Sequence, residues 1–125
     1  RGQRALLNYG HTFGHALEAE TGYTSYRHGE AVAIGMAAAA SLSVTLKLAP
    51  SDLSRDTQDL LRAFGLPITI PGLSADKLLA RMAWDKKVEG GNPRLILSPG
   101  RGEALVRDDV PKEAILPVLR RLGAV

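Results

Sequence analysis

The stretch Ala31-Val32-Ala33-Ile34-Gly35-Met36-Ala37-Ala38-Ala39-Ala40-Ser41-Leu42-Ser43-Val44-Thr45-Leu46 decides the fold. It runs for sixteen residues without a charged side chain, and its four successive alanines are the strongest helix formers there are. Sixteen residues fall short of the roughly 20 that a bilayer span needs. The spacing therefore predicts a helix over 31–46, buried on all sides and packed closely through Gly35 and its alanines.

Outward from that helix, each flank reads as further helix. Before it lies loop chemistry at residues 21–27. Before the loop, residues 3–20 hold no proline and predict a helix with Gly22 as its stop. After it, Pro50 is a stop, and Ser51 is an N-cap for a third helix whose inner positions are Leu53, Leu60, Leu61 and Phe64. Gly65 and Pro67 end that one. Ser74 caps a fourth helix with Leu78, Leu79, Met82 and Ala83 inside, ending near Lys87. Gly90-Gly91-Asn92-Pro93 is a turn, and residues 94–97 and 103–107 flank a Ser-Pro-Gly-Arg-Gly loop as a short hairpin. A last helix starts near Pro111 and runs toward Leu122, with a kink expected at Pro117. The expected architecture is a mainly α, multi-helix domain over 1–125, with about five helices and a small β-hairpin.

Composition narrows the function classes. With 125 residues and 45% hydrophobic content the chain can close one core. It has no cysteine, so a metal would be held by His and carboxylate, and a reducing, cytoplasmic setting fits. Its start at Arg1 reads as a cut inside a longer polypeptide. The net charge of +3 comes from 16 basic residues interleaved with 13 acidic ones, and aromatics are only 5%. That is neither a basic stripe nor a base-stacking platform, so a small anionic ligand fits better than nucleic acid. No membrane partner is expected either.

All three histidines lie between His11 and His28. On a continuous helix Arg4, Asn8, His11 and His15, spaced four, three and four apart, fall on one stripe roughly 60° wide. Leu6, Phe13 and Leu17 lie opposite. A guanidinium, an amide and two imidazoles suit a cleft better than a core, where each would need a buried partner. His11 and His15 have the i, i+4 spacing of a metal-chelating pair, although Thr12 stands where the zinc-protease helix has its Glu. Local capping or pairing is the plainer account of two helical histidines. His28, at the start of the next helix in His28-Gly29-Glu30, adds a third imidazole that the intervening loop can fold back. Gly10, Gly14 and Gly29 would let the two elements approach. Lys86 and Lys87 are ordinary dipole complements at a helix C-terminus, or phosphate ligands if they reach the stripe.

Two segments together resemble the 3-dehydroquinate synthase family: Leu7-Asn8-Tyr9-Gly10-His11-Thr12-Phe13-Gly14-His15-Ala16-Leu17-Glu18, then His28-Gly29-Glu30-Ala31-Val32-Ala33-Ile34-Gly35-Met36. Asp85-Lys86-Lys87 and Arg94-Leu95-Ile96-Leu97 follow in the family's order. The resemblance implies a C-terminal helical domain facing an N-terminal NAD-binding domain across the active-site cleft. It implies zinc held by His11 and His28 with a Glu from the other domain; cobalt would accept the same ligands. Arg4 would meet the substrate carboxylate. Asn8, His15 and Lys86 or Lys87 would meet the phosphate, so the family gives His15 to substrate where spacing alone pairs it with His11 on the metal. The implied substrate is a phosphorylated seven-carbon sugar acid, and the parent enzyme is expected to be a homodimer. Other sugar-phosphate cyclases, of aminodehydroquinate, deoxyinosose or valiolone type, share the fold and the zinc, but the Gly-His-Thr-Phe-Gly-His form with Arg4 and Asn8 resembles dehydroquinate synthase most closely. A metal- or anion-binding module without catalysis is the alternative from another class. Because no GxGxxG fingerprint opens a helix here, the chain alone is expected to be inactive.

Overall fold

The computed structural model describes residues 9–84, 93–100 and 102–125. In chain order they form α1 (His11–Glu20), α2 (His28–Thr45), α3 (Asp52–Ala63), α4 (Ala75–Trp84), β1 (Leu95–Leu97), β2 (Leu105–Arg107) and α5 (Lys112–Arg121). This is the mainly α architecture with a hairpin that the sequence predicts.

α2 is the axis. It packs against α1, α3, α5 and β1, while α4 closes the far side against α1 and α5. Ala31, Ala37, Ala39, Ala40 and Leu42 are all at 0% exposure, which explains why this helix has no polar stripe. α1 crosses α2 in the opposite direction, with Gly10 beside Gly35 and Gly14 beside Ala31. The approach is so close that a Cβ on Gly35 would stand 2.0 Å from the Gly10 carbonyl oxygen. Gly29, in contrast, has open space around it and plays no part in the crossing.

Two expectations about helices are corrected. The helix expected over 3–20 is interrupted at Gly10, which stands in the left-handed region at φ 81°, and α1 begins directly after it at His11. Leu6, Arg4 and Asn8 lie outside the described residues, so the described part of the polar stripe is His11 and His15. On α3, Leu53 and Leu61 are buried, but Leu60 is 59% and Phe64 74% exposed. Leu60 lies seven residues from Leu53 and shares its face, yet at that turn the face overlooks an open cleft instead of core.

The hairpin pairs Leu95 with Arg107, Ile96 with Val106 and Leu97 with Leu105. Two strands of three residues are marginal alone, and they lean on the helices. The Ser98 N–H donates to Ser43 Oγ at 3.0 Å, Ser43 Oγ–H donates to the Ala39 carbonyl at 2.7 Å, and Thr12 Oγ1 donates to the Arg94 carbonyl at 3.0 Å. Ser74 caps α4 through the Lys77 N–H at 3.2 Å. Pro117 stands inside α5 without ending it. It lies on the exposed side, where the carbonyl four residues back meets water. The final residues run back along the α3–α4 connection, with Ile70 N–H donating to the Leu122 carbonyl at 2.8 Å and Val125 N–H to the Leu73 carbonyl at 2.7 Å.

Candidate metal centre

The antiparallel crossing of α1 and α2 brings the three histidines together. His11 opens α1, His15 follows one turn later, and His28 is the first residue of α2. Ring centres are 5.7 Å apart for His11 and His15, 5.6 Å for His11 and His28, and 6.3 Å for His15 and His28. Two imidazoles that share an ion at Zn–N distances of about 2.0–2.1 Å have ring centres roughly 5–6 Å apart. His11 is therefore the common member of both well-spaced pairs, and His15 with His28 is the poorest pair. Geometry alone leaves both His11 pairings open.

The imidazole of His11 carries the clearest sign of an unmet partner. Its Nδ1 is buried and has no hydrogen bond among the described residues. Such an atom costs about 1–3 kcal/mol if left unpaired, and a cation or a hydrogen-bonding group at that nitrogen would satisfy it. His15 is exposed and stands at the rim. Among the described residues no group of three His or carboxylate side chains is arranged to hold a metal ion by itself. The donor set fits a zinc-type ion, taking imidazole nitrogen, but it amounts to half a site.

Beside His11 opens a cleft of about 940 Å³. Tyr9, Val32 and Met36 form one wall, Leu53 and Leu61 of α3 another, and Ser98 and Gly100 of the hairpin loop a third. Burial pushes the Tyr9 phenol up to about 12, so at neutral pH it keeps its proton and can donate.

One residue of this corner was not singled out from the sequence. Glu18 is buried at 9% exposure, and its carboxylate lies 3.1 and 3.3 Å from Nδ1 of His28. Its position was legible, because His11, His15 and Glu18 stand four and three residues apart on one helical face. Lys86 and Lys87, expected at the phosphate, lie outside the described residues along with Arg4 and Asn8.

The helix arrangement around this corner is that of a known class of enzymes, the dehydroquinate synthase-like sugar-phosphate cyclases. A structure of 2-epi-5-epi-valiolone synthase from Streptomyces hygroscopicus, with NAD+ and Zn2+ bound, superposes with a TM-score of 0.81 at 29% identity, covering 94% of this chain and 32% of that one. A 2-deoxy-scyllo-inosose synthase complexed with carbaglucose-6-phosphate, NAD+ and Co2+ gives 0.75 at 29% identity, over 91% of this chain and 34% of that one. Within this class, the chain belongs to the 3-dehydroquinate synthase family: residues 1–88 match the family described as 3-dehydroquinate synthase C-terminal. The 3-dehydroquinate synthases of Sinorhizobium medicae and Acidithiobacillus ferrooxidans are each 50% identical to it, over 94% and 95% of this chain. The chain spans about a third of those relatives, 33% in both cases.

Proposed function

We propose that this chain is the C-terminal, metal- and substrate-binding part of a 3-dehydroquinate synthase. The whole enzyme would convert 3-deoxy-D-arabino-heptulosonate 7-phosphate to 3-dehydroquinate and phosphate, in the shikimate route to aromatic amino acids. The observation that carries this reading is the imidazole cluster centred on His11, on a helix pair whose close relatives bear that name.

In this reading His11 and His28 hold a zinc or cobalt ion, with a further Glu from the part of the enzyme that this chain does not span, which also binds NAD. A bound divalent ion supplies Lewis-acid polarisation at the carbon being oxidised, and the nicotinamide supplies reversible hydride acceptance. The chain's own residues bind and orient. Arg4 pairs with the substrate carboxylate, while Asn8, His15 and Lys86 or Lys87 surround the phosphate and spread its charge. The departing phosphate can itself take up the proton lost beside the new ketone, so few protein bases are needed.

A related cyclase is the second reading, and identity favours the first: 50% to dehydroquinate synthases against 29% to the valiolone and inosose synthases. Following phosphate release separates them. The complete enzyme, with NAD and zinc, should turn over the heptulosonate phosphate and not glucose 6-phosphate, the sugar whose carba-analogue occupies the inosose synthase structure. The 125-residue chain alone should be inactive. Turnover by the chain alone, or a preference for glucose 6-phosphate, would overturn the reading.

A further inference from the structure

We propose that Glu18 is a positioning residue for the metal centre: it holds the proton of His28 on Nδ1 and thereby presents Nε2 to the ion. The inference rests on the reading of His11 and His28 as ligands, and concerns how the second becomes competent.

A carboxylate can only accept hydrogen bonds. With both Glu18 oxygens 3.1 and 3.3 Å from His28 Nδ1, that nitrogen must be the N–H. The lone pair then resides on Nε2, the remaining donor atom of the ring. A neutral imidazole otherwise divides its proton between two nitrogens, and only the form with the lone pair facing the ion can bind it.

Position explains why such a clamp is needed. His28 is the first residue of α2, follows the exposed segment 22–25, and has a side chain that is 59% exposed. Its own helix has no preceding turn to hold the ring. Glu18 comes from the other helix, and its side chain is only 11% exposed. A carboxylate buried to that degree requires a hydrogen-bonded partner, and the orientation it imposes on His28 is correspondingly firm. α1 thus provides one ligand directly, His11, and orients the other, which comes from α2. The two ligands are not equivalent: Nδ1 of His28 is tied to a carboxylate, whereas Nδ1 of His11 has no partner among the described residues. Loss of such carboxylate partners commonly weakens metal binding about 10–100-fold.

The test uses the full-length enzyme. Glu18→Gln preserves shape and removes charge, and Glu18→Ala removes the contact. Zn2+ affinity is read by competition with a chromophoric chelator, and the site's geometry by the visible absorption of the Co2+ form. His11→Ala and His28→Ala run in parallel. The expected result is near-complete loss of tight Zn2+ binding in both histidine variants, about 10–100-fold weakening in the Glu18 variants, and an altered Co2+ spectrum in Glu18→Gln. If the histidine variants bind Zn2+ normally, the underlying site reading fails. If they lose it while both Glu18 variants keep full affinity and an unchanged spectrum, only the role of Glu18 fails. A measurement on the unmutated, metal-free enzyme needs no variant to fold. Long-range proton–nitrogen NMR of the His28 ring should find the proton on Nδ1, and a proton on Nε2 would overturn the proposal.

Discussion

α2 and α3 are consecutive helices that solve opposite problems. α2 has no charged residue from Ala31 to its end and is enclosed by three helices and a strand. α3 carries Asp52, Arg55, Asp56, Asp59 and Arg62, and buries only Leu53 and Leu61. The first is held by packing on every side, the second by one narrow stripe. The difference bears on the candidate metal centre, because a binding constellation needs rigid support. His28 opens the enclosed helix and His11 sits on the helix crossed most tightly against it. The loosely held α3 contributes only a wall of the cleft. Breaking α2 should therefore reach the histidines, whereas altering α3 should stay local.

The strongest way to break this comparison is Gly35→Ala. The added Cβ would stand 2.0 Å from the Gly10 carbonyl oxygen and 3.0 Å from the Gly14 nitrogen, and backbone atoms cannot step aside as a flexible side chain can. A cost of about 3 kcal/mol or more is expected, at the top of the overpacking range. Urea unfolding should record it, together with weaker metal binding as α1 is pushed off α2. A cost below about 1 kcal/mol would mean that the crossing is soft.

Tyr9 sharpens the comparison at the cleft, where the walls from α2 and α3 meet. Unfolded, its phenol loses a proton near 10, whereas the folded chain retains it up to about 12. Between those values the unfolded state binds fewer protons, so stability falls as pH rises through the window. The loss should approach about 2–3 kcal/mol at the alkaline end and be absent below pH 10. Thermal melts with a chelator present should show this slope in the wild type and its absence in Tyr9→Phe. A persistent slope in the variant would assign it to another group.

The same contrast shows what was legible in the sequence. α2 declared itself, because a helix buried on all sides leaves an unbroken apolar run, and Gly35 within it marked a close contact. The histidine cluster was legible from spacing and from a loop of the right length. α3 misled at Leu60 and Phe64: helical periodicity reports which residues share a face, not whether anything covers that face. Glu18 lay on the same stripe as His11 and His15, but a Glu in an amphipathic helix ordinarily reads as solvated. Its burial depends on α2 passing beside it, which no local pattern encodes. Gly10, counted among the small residues of the crossing, also breaks the first helix through its positive φ.

The ends of the helices provide the smallest and cleanest test. Four of them finish in the same pair of backbone bonds. After α1, Gly22 N–H donates to the Ala19 carbonyl and Tyr23 N–H to that of Glu18. After α3, Gly65 and Leu66 bond Arg62 and Leu61, and after α5, Gly123 and Ala124 bond Arg120 and Leu119. After α2, Lys47 and Leu48 bond Val44 and Ser43 at 3.0 and 2.9 Å. The motif needs a left-handed residue at its first position, and three of the four are glycine. The fourth is Lys47, at φ 61° against 72° for Gly65. An L-residue pays about 1–2 kcal/mol for that conformation, partly offset because glycine loses more entropy on folding. Both positions are exposed, and a Cβ on Gly65 would meet nothing within 4 Å, so backbone strain is isolated from packing. Lys47→Gly should raise stability by about 0.5–1 kcal/mol, and Gly65→Ala should lower it by a similar amount. Urea midpoints measured side by side would show opposite shifts of comparable size. Two shifts of the same sign would mean that the enclosed helix tolerates strain at its end through packing that the exposed helix lacks.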